Sequence, residues 1–414
     1  MFCKSAGLVA ALSCCFAARM LNAAPLYAIK DLTPAGYTTS VAYDINADGD
    51  AVGIAGFFPS GSLVEHFFYY DHSTGISTIF GAGIVEPRPS ITGTGFRRAA
   101  INDSGLVAGT ARFTAGVPEA RGFIYNGTTF TNLGTLAGAT PSGIRPSSDA
   151  LDINSSGVAT GTATSGAGTT PSEFDNIDVY TGTASPISDI DGDITVATRG
   201  DFGRAINNAG LIAGSNEAGK ATLFSGASET VLLAATIYSG EASVATDLNE
   251  AGLISGSTIA TNEAFVYDTS DSSVTILPQI GTGLRMNANG INEDGDVVGQ
   301  GDRSPSLSGE ARGYVYVSDD GTSYILEDHV VDLTVPPIAG LGDWERLRAA
   351  WGINDDGWIV GQGDRRFTGE TFPVNRAYLL IPVPEPSTMA LLAAGMVVLA
   401  ALVGTRRART QPSG

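Results

Sequence analysis

INDSGLVAG, residues 101–109, is one of seven copies of a single pattern: an apolar residue, Asn, Gly three positions after the Asn, and a second Gly four positions further on. The asparagines are Asn46, Asn102, Asn154, Asn207, Asn249, Asn292 and Asn354. The first glycines are Gly49, Gly105, Gly157, Gly210, Gly252, Gly295 and Gly357, and Ile or Leu always precedes the Asn. Successive asparagines are 56, 52, 53, 42, 43 and 62 residues apart, so the chain is a tandem array with a mean unit of about 51 residues.

Each copy reads as a hairpin. The Asn side-chain oxygen can accept a backbone N–H within the turn, and Gly three residues on tolerates the left-handed conformation of a type I turn with a bulge. The flanking apolar residues, such as Ile101 with Val107 or Ile353 with Ile359, are then the two strands. The second glycine, Gly109 or Gly361, falls inside or at the end of the second strand, where it marks a bulge or a close backbone approach.

A second strand pair follows most copies: HFFYYDHSTGISTIF (66–80), RGFIYNGTTFTNL (121–133), EAFVYDTSDSSVTIL (263–277) and RGYVYVSDDGTSYIL (312–326) all read strand, polar turn, strand. Asn126-Gly127 is a two-residue hairpin signal. The third and fourth copies are less regular, and residues 162–176, rich in Gly, Thr and Ser, read as a surface excursion. Four strands in each of seven units predict an all-β, seven-bladed β-propeller, with a β-solenoid as the alternative. YAIKDL (27–32) precedes the first unit, and the last unit stops after its third strand, which contains Tyr378–Ile381. Pairing the two would close the ring.

The units resemble the HAF repeats of probable extracellular bacterial proteins, which couple an Asn-x-x-Gly turn to an apolar-aromatic strand and a Leu-Gly-Thr-Leu stretch. Here that stretch is Leu133, Gly134, Thr135 and Leu136, and the aromatic strand is clearest at Ala264, Phe265, Val266 and Tyr267. His-Ala-Phe itself is nowhere complete, being Glu-Ala-Phe, Arg-Gly-Phe or Arg-Gly-Tyr. The resemblance implies a β fold and an exported setting, and no activity.

The two ends carry addresses. Lys4, an apolar run from Ala6 to Ala18, and small residues at Ala23 and Ala24 have the layout of a signal peptide over residues 1–24. All three cysteines, Cys3, Cys14 and Cys15, lie within it, which leaves residues 25–382, the repeat domain, without a thiol. From residue 383 the chain reads VPEPSTMALLAAGMVVLAALVGTRRART: a proline-bounded acidic spot, an apolar run that predicts a short transmembrane helix over 389–404, and a basic stop at Arg406, Arg407 and Arg409. By the positive-inside rule those arginines stay cytoplasmic and the repeat domain lies outside the inner membrane.

Residues 383–414 resemble the PEP-CTERM sorting signal of Gram-negative bacteria, with Pro384, Glu385 and Pro386 at the signature positions. The resemblance implies processing by a membrane-embedded exosortase, transient anchoring in the inner membrane, and export toward a cell surface or matrix rich in exopolysaccharide, which is then a partner to expect.

Chemistry is sparse. The chain has formal charge −20, and removing the end residues Lys4, Arg19, Arg406, Arg407, Arg409 and Glu385 leaves 18 basic against 42 acidic residues. Such a surface suits solubility and repels nucleic acid. Asp44, Asn46, Asp48 and Asp50 offer alternating oxygens around a turn, the pattern of a calcium loop, but Ala55 stands where its closing Glu would be. No other cofactor is expected. His66, His72 and His329 are the whole histidine supply, and the first two flank a strand too long for them to share a zinc ion. Ser318-Asp319-Asp320-Gly321 is one residue short of the Asp box of sialidase propellers and reads as a turn. Trp351 and Trp358 flank the last turn as packing residues. No nucleophile elbow or metalloprotease helix occurs, so no catalytic residue is assigned. The reading is a non-enzymatic structural or binding propeller; the rival is a polysaccharide-degrading enzyme, glycosidase or lyase, on the same scaffold. Two or three carboxylates beside an aromatic in the central channel would favour the rival, and small residues there would favour display.

Overall fold

The computed structural model describes residues 25–82, 85–87, 99–113, 120–135, 148–164, 177–184, 188–189, 201–234, 236, 238–282, 285–304, 311–332, 338–339, 341–367 and 371–383. The signal peptide, Pro384–Pro386, the helix expected over 389–404, the arginines beyond it and most of the 162–176 excursion lie outside the described residues.

The described chain is a seven-bladed β-propeller. Blade 1 is Thr39–Ile45, Ala51–Phe57, Val64–Asp71 and Ile76–Phe80; blade 2 is Ala99–Ile101, Val107–Phe113, Ala120–Tyr125 and Phe130–Asn132. Blade 3 is Asp152–Ile153, Ala159–Thr164, Ile177–Gly182 and Ser188–Asp189; blade 4 is Phe202–Ile206, Ile212–Ser215, Ala221–Ser225 and Ser228–Val231. Blade 5 is Ser243–Leu248, Leu253–Thr258, Ala264–Asp268 and Val274–Ile276; blade 6 is Met286–Ile291, Val297–Asp302, Ala311–Val317 and Thr322–Ile325. Blade 7 is Trp344–Ile353, Ile359–Arg365 and Val374–Pro382, completed by Tyr27–Asp31 from the other end of the chain. That closing pair is antiparallel, from Tyr27 opposite Pro382 to Asp31 opposite Tyr378, as the sequence predicts.

Two blades exceed four strands. Val85–Pro87 adds to blade 2, and Val330–Asp332 with Ile338–Ala339 extends blade 7 to six. These additions fall within the two longest repeat spacings, 56 and 62 residues, where chain left over after the fourth strand pairs with a free sheet edge. The Asn126-Gly127 hairpin is also shifted from its expected place: Asn126 N–H donates to Thr129 at 3.3 Å, so the two central turn residues are Gly127 and Thr128. His66 lies within the strand Val64–Asp71, not at its edge.

The core sits between blades. Phe67 and Phe123 meet edge to face across blades 1 and 2, Val298 and Leu347 join blades 6 and 7, and Phe68 and Leu379 join blades 7 and 1. Hydrophobic burial therefore rewards ring closure directly, since an unclosed end would leave two such faces wet.

In blades 1, 5, 6 and 7 the second glycine accounts for both the bulge and the aromatic strand. A Cβ on Gly53, Gly214, Gly299 or Gly361 would sit 1.7–2.1 Å from a carbonyl oxygen of the first strand, and one on Gly161 would sit 2.1 Å from the Asp149 carbonyl just before it. In blades 1, 4, 5, 6 and 7 the first strand is bulged beside this glycine, which turns that carbonyl across the sheet. From the third strand Phe68, Phe265, Tyr314 and Tyr378 lay rings over the same gap. The two tyrosines differ in one respect. Tyr378 Oη donates to Ala349 O at 2.9 Å, whereas the Tyr314 hydroxyl is buried with no hydrogen-bond partner among the described residues. Burial pushes the titration of both phenols far up. Tyr378→Phe is expected to lose about 1 kcal/mol and Tyr314→Phe to lose nothing or gain stability. Denaturation midpoints test this, and equal losses would contradict it.

Candidate functional site

The seven turns meet around the axis on one face. In every copy the Asn N–H donates to the carbonyl four residues on, and the first Gly N–H donates back to the Asn carbonyl. That glycine has φ between +73° and +84°, the left-handed region. The Asn Oδ1 accepts the N–H four residues on, as at Asp50 (2.9 Å), Leu106 (2.9 Å) and Trp358 (2.9 Å).

The amide nitrogen does something else. Asn46 Nδ2 donates to Asn102 O (3.3 Å), Asn102 to Asn154 (2.8 Å), Asn154 to Asn207 (3.2 Å) and Asn207 to Asn249 (3.4 Å). Asn249 donates to Asn292 (2.9 Å), Asn292 to Asn354 (3.3 Å), and Asn354 back to Asn46 (3.0 Å). The circuit is closed, and all seven side chains are buried. One residue type thus makes the turn and joins each blade to the next.

Two further layers flank this ring. Above it, the acidic residue after the Asn in four copies reaches the neighbouring blade: Asp103 accepts from Ala47 N (3.0 Å), Glu250 from Asn208 N (2.9 Å), Glu293 from Glu250 N (2.7 Å) and Asp355 from Glu293 N (2.9 Å). Below it lie Ile45, Ile101, Ile153, Ile206, Leu248, Ile291 and Ile353, all buried. A cavity of about 140 Å³ opens at this mouth, lined by Asp103, Glu293 and Asp355 above the asparagines and by Ile45, Ile101, Ile291 and Ile353 as its floor. It contains carboxylates but no aromatic residue.

Two residues before the Asn, Asp alternates with small residues. Asp44, Asp152 and Asp247 accept the N–H of Ile101, Ile206 and Ile291 in the following blade at 2.8–3.0 Å. Ala100, Ala205 and Gly290 occupy the same position in those following blades. Seven is odd, so the alternation must fail once, and Gly352 in blade 7 leaves the space that Asp44 fills: a Cβ there would lie 3.2 Å from Asp44 Oδ1. At the resulting Gly–Gly seam, Asn289 Nδ2 bridges to Ala350 O at 2.8 Å.

The calcium-loop residues are dispersed among these duties. Asp44 binds Ile101 N, and Asn46 belongs to the ring. Asp50 accepts the Tyr69 hydroxyl (2.5 Å) and His72 N–H (2.8 Å), and Asp48 is exposed. Burial, with that bond to Asp50, pushes the Tyr69 phenol far up. Among the described residues no group of three or more His, Cys, Asp or Glu is gathered to hold a metal ion. His72 packs on Trp358 with ring centroids 4.5 Å apart, and Trp351 on Tyr43 at 5.6 Å. Gly321 takes φ +67° in the Ser318–Gly321 turn. The bridging amide and the acids after the asparagines were missed by sequence reasoning, although five of the seven copies carry Asp, Asn or Glu there.

Comparison with known proteins identifies the tail. Residues 382–408 match the PEP-CTERM protein-sorting motif, and residues 27–149 match a family described as a protein of unknown function, DUF3466. No curated protein matches the chain. Among solved structures, the chain is similar to a puromycin-hydrolyzing peptidase of Mycobacterium tuberculosis (12% identity, TM-score 0.48, 82% of this chain and 52% of that one). It is similar to YCF48 bound to D1 peptide (10%, 0.46, 88% and 97%) and to the acylaminoacyl peptidase of Pyrococcus horikoshii (10%, 0.47, 88% and 55%). The chain thus spans about half the length of the two peptidases.

Proposed function

We propose that the protein is a secreted display propeller, delivered to the cell surface or an exopolysaccharide-rich matrix by its C-terminal tail, and that it binds or scaffolds without catalysing a reaction. The carrying observation is the PEP-CTERM motif at residues 382–408, which begins where the last strand ends. Such a motif implies processing by an exosortase in the membrane. Residues 1–24 act as the leader, 25–382 as the displayed domain of HAF-like repeats, and 383–414 as the removable anchor. The axial mouth supports a structural reading: its carboxylates accept neighbouring backbone N–H groups, and Ile side chains form the floor. Replacing Pro384, Glu385 and Pro386 by alanine should hold the protein in the inner membrane of a host with the sorting machinery. Undiminished surface release of that variant, followed by cell fractionation, would overturn the proposal.

A further inference from the structure

The first strand of every blade runs toward its Asn turn, the second away and the third back. Blade 7's third strand, Val374–Pro382, therefore ends on the asparagine face, where a Cβ on the turn residue Gly357 would lie 3.5 Å from Pro382 Cγ. Tyr27 pairs with Pro382, and Val383 N–H donates to Leu26 O at 2.8 Å, so both ends of the domain leave from this face.

We infer that the membrane-tethered protein holds its asparagine face against the bilayer and presents the opposite face outward; this rests on the tail reading above. The argument is one of lengths. From Val383 to Met389, where the apolar run begins, the chain can span at most about 20 Å. The nine residues of Val374–Pro382 rise about 30 Å at ~3.3 Å each. The tether is shorter than the blade it would have to climb, so the opposite face cannot turn to the lipid. Asp103, Glu250, Glu293 and Asp355 make the near face acidic, so it is repelled by anionic headgroups and does not insert; the short tether alone holds it near the bilayer.

The outward face differs in character. It carries the ion pairs of blades 6 and 7, with Asp364 shared by Arg346 and Arg348, and exposed apolar loop tips at Phe58, Leu63, Ile259 and Phe372. Before cleavage only this face meets other macromolecules; the axial mouth becomes accessible on release.

The test uses the leader-free chain, residues 25–414, which contains no cysteine, with one new thiol at either Ser104→Cys on the asparagine face or Ser60→Cys on the other. Each is labelled with a fluorescent donor and reconstituted in phosphatidylcholine vesicles containing acceptor-labelled lipid. Energy transfer should be greater from position 104 by about two-fold or more, as a height difference of ~30 Å requires. Equal transfer, or more from position 60, in protein that floats with the vesicles would overturn the orientation alone. Flotation that persists after deletion of residues 384–414 would overturn the tail reading and the orientation with it.

Discussion

Gly299→Ala is expected to destabilise the propeller by about 3 kcal/mol or more, the largest effect of any single methyl group in blade 6. The added Cβ would sit 1.9 Å from Asn287 O, a backbone atom held in the sheet beside the bulge at Asn289, and 2.8 Å from the Tyr314 ring. Tyr314 could swing, but the carbonyl can move only by breaking the ladder between the first two strands. Gly295, four residues earlier in the same hairpin, is limited by its φ of +83° instead, and the nearest atom to an added Cβ is Leu253 Cδ1 at 3.1 Å. Gly295→Val, like Gly105→Val, should therefore cost on the order of 1–3 kcal/mol. Denaturant midpoints for the pair should rank Gly299→Ala below Gly295→Val. The reverse order would mean that close approach is not what fixes the second glycine.

Asn292→Asp should cost nearly as much, about 3 kcal/mol at neutral pH. An Asp keeps the oxygen that accepts Asp296 N–H at 2.9 Å but replaces the donor to Asn354 O with a carboxylate oxygen facing a carbonyl oxygen. The site is buried, so the ionised form is disfavoured and the introduced carboxyl titrates above its unfolded value. The sign follows: the penalty is full above the raised folded-state pKa and is relieved as pH falls through it, because a protonated Asp can donate to Asn354 O again. Asn292→Ala loses both bonds without adding charge and should show no such pH dependence. Unfolding curves of the two variants at pH 7 and pH 5 test this, and an aspartate variant as stable as the parent at pH 7 would show that the ring bonds contribute little.

The blade count was legible because seven hairpin turns carry the same glycine, whose left-handed φ no other residue supplies at low cost. Ring closure was legible because the N-terminal strand and the missing fourth strand of blade 7 are complementary. The extra strands Val85–Pro87 and Val330–Asp332 were not, since short edge strands depend on which neighbour is free and leave no period in the sequence. Within the mouth, the turn reading assigned only the oxygen of each Asn, and nothing local to Asn102 reveals that its nitrogen meets Asn154 of the next blade. The acids at Asp103, Glu250, Glu293 and Asp355 read as solubility because inter-blade bonds run between residues 42 to 62 apart. The second glycine and the aromatic strand were both visible in the sequence, but their contact became apparent only in the register that sets Gly256 opposite Phe265 and Gly361 opposite Tyr378.

Delivery by a removable tail is the claim on which the functional account depends. The peptide Pro384-Glu385-Pro386 follows the last described residue, Val383, and its two prolines disfavour helix on both sides of the glutamate. The apolar run beyond it should hold this peptide at the outer surface of the inner membrane, within reach of a membrane-embedded enzyme. The direct measurement is the intact mass of protein released from the surface of a host carrying the sorting machinery. A C-terminus between residues 383 and 388 is the predicted result. Protein that retains its tail through Gly414 and stays in the inner membrane would contradict it.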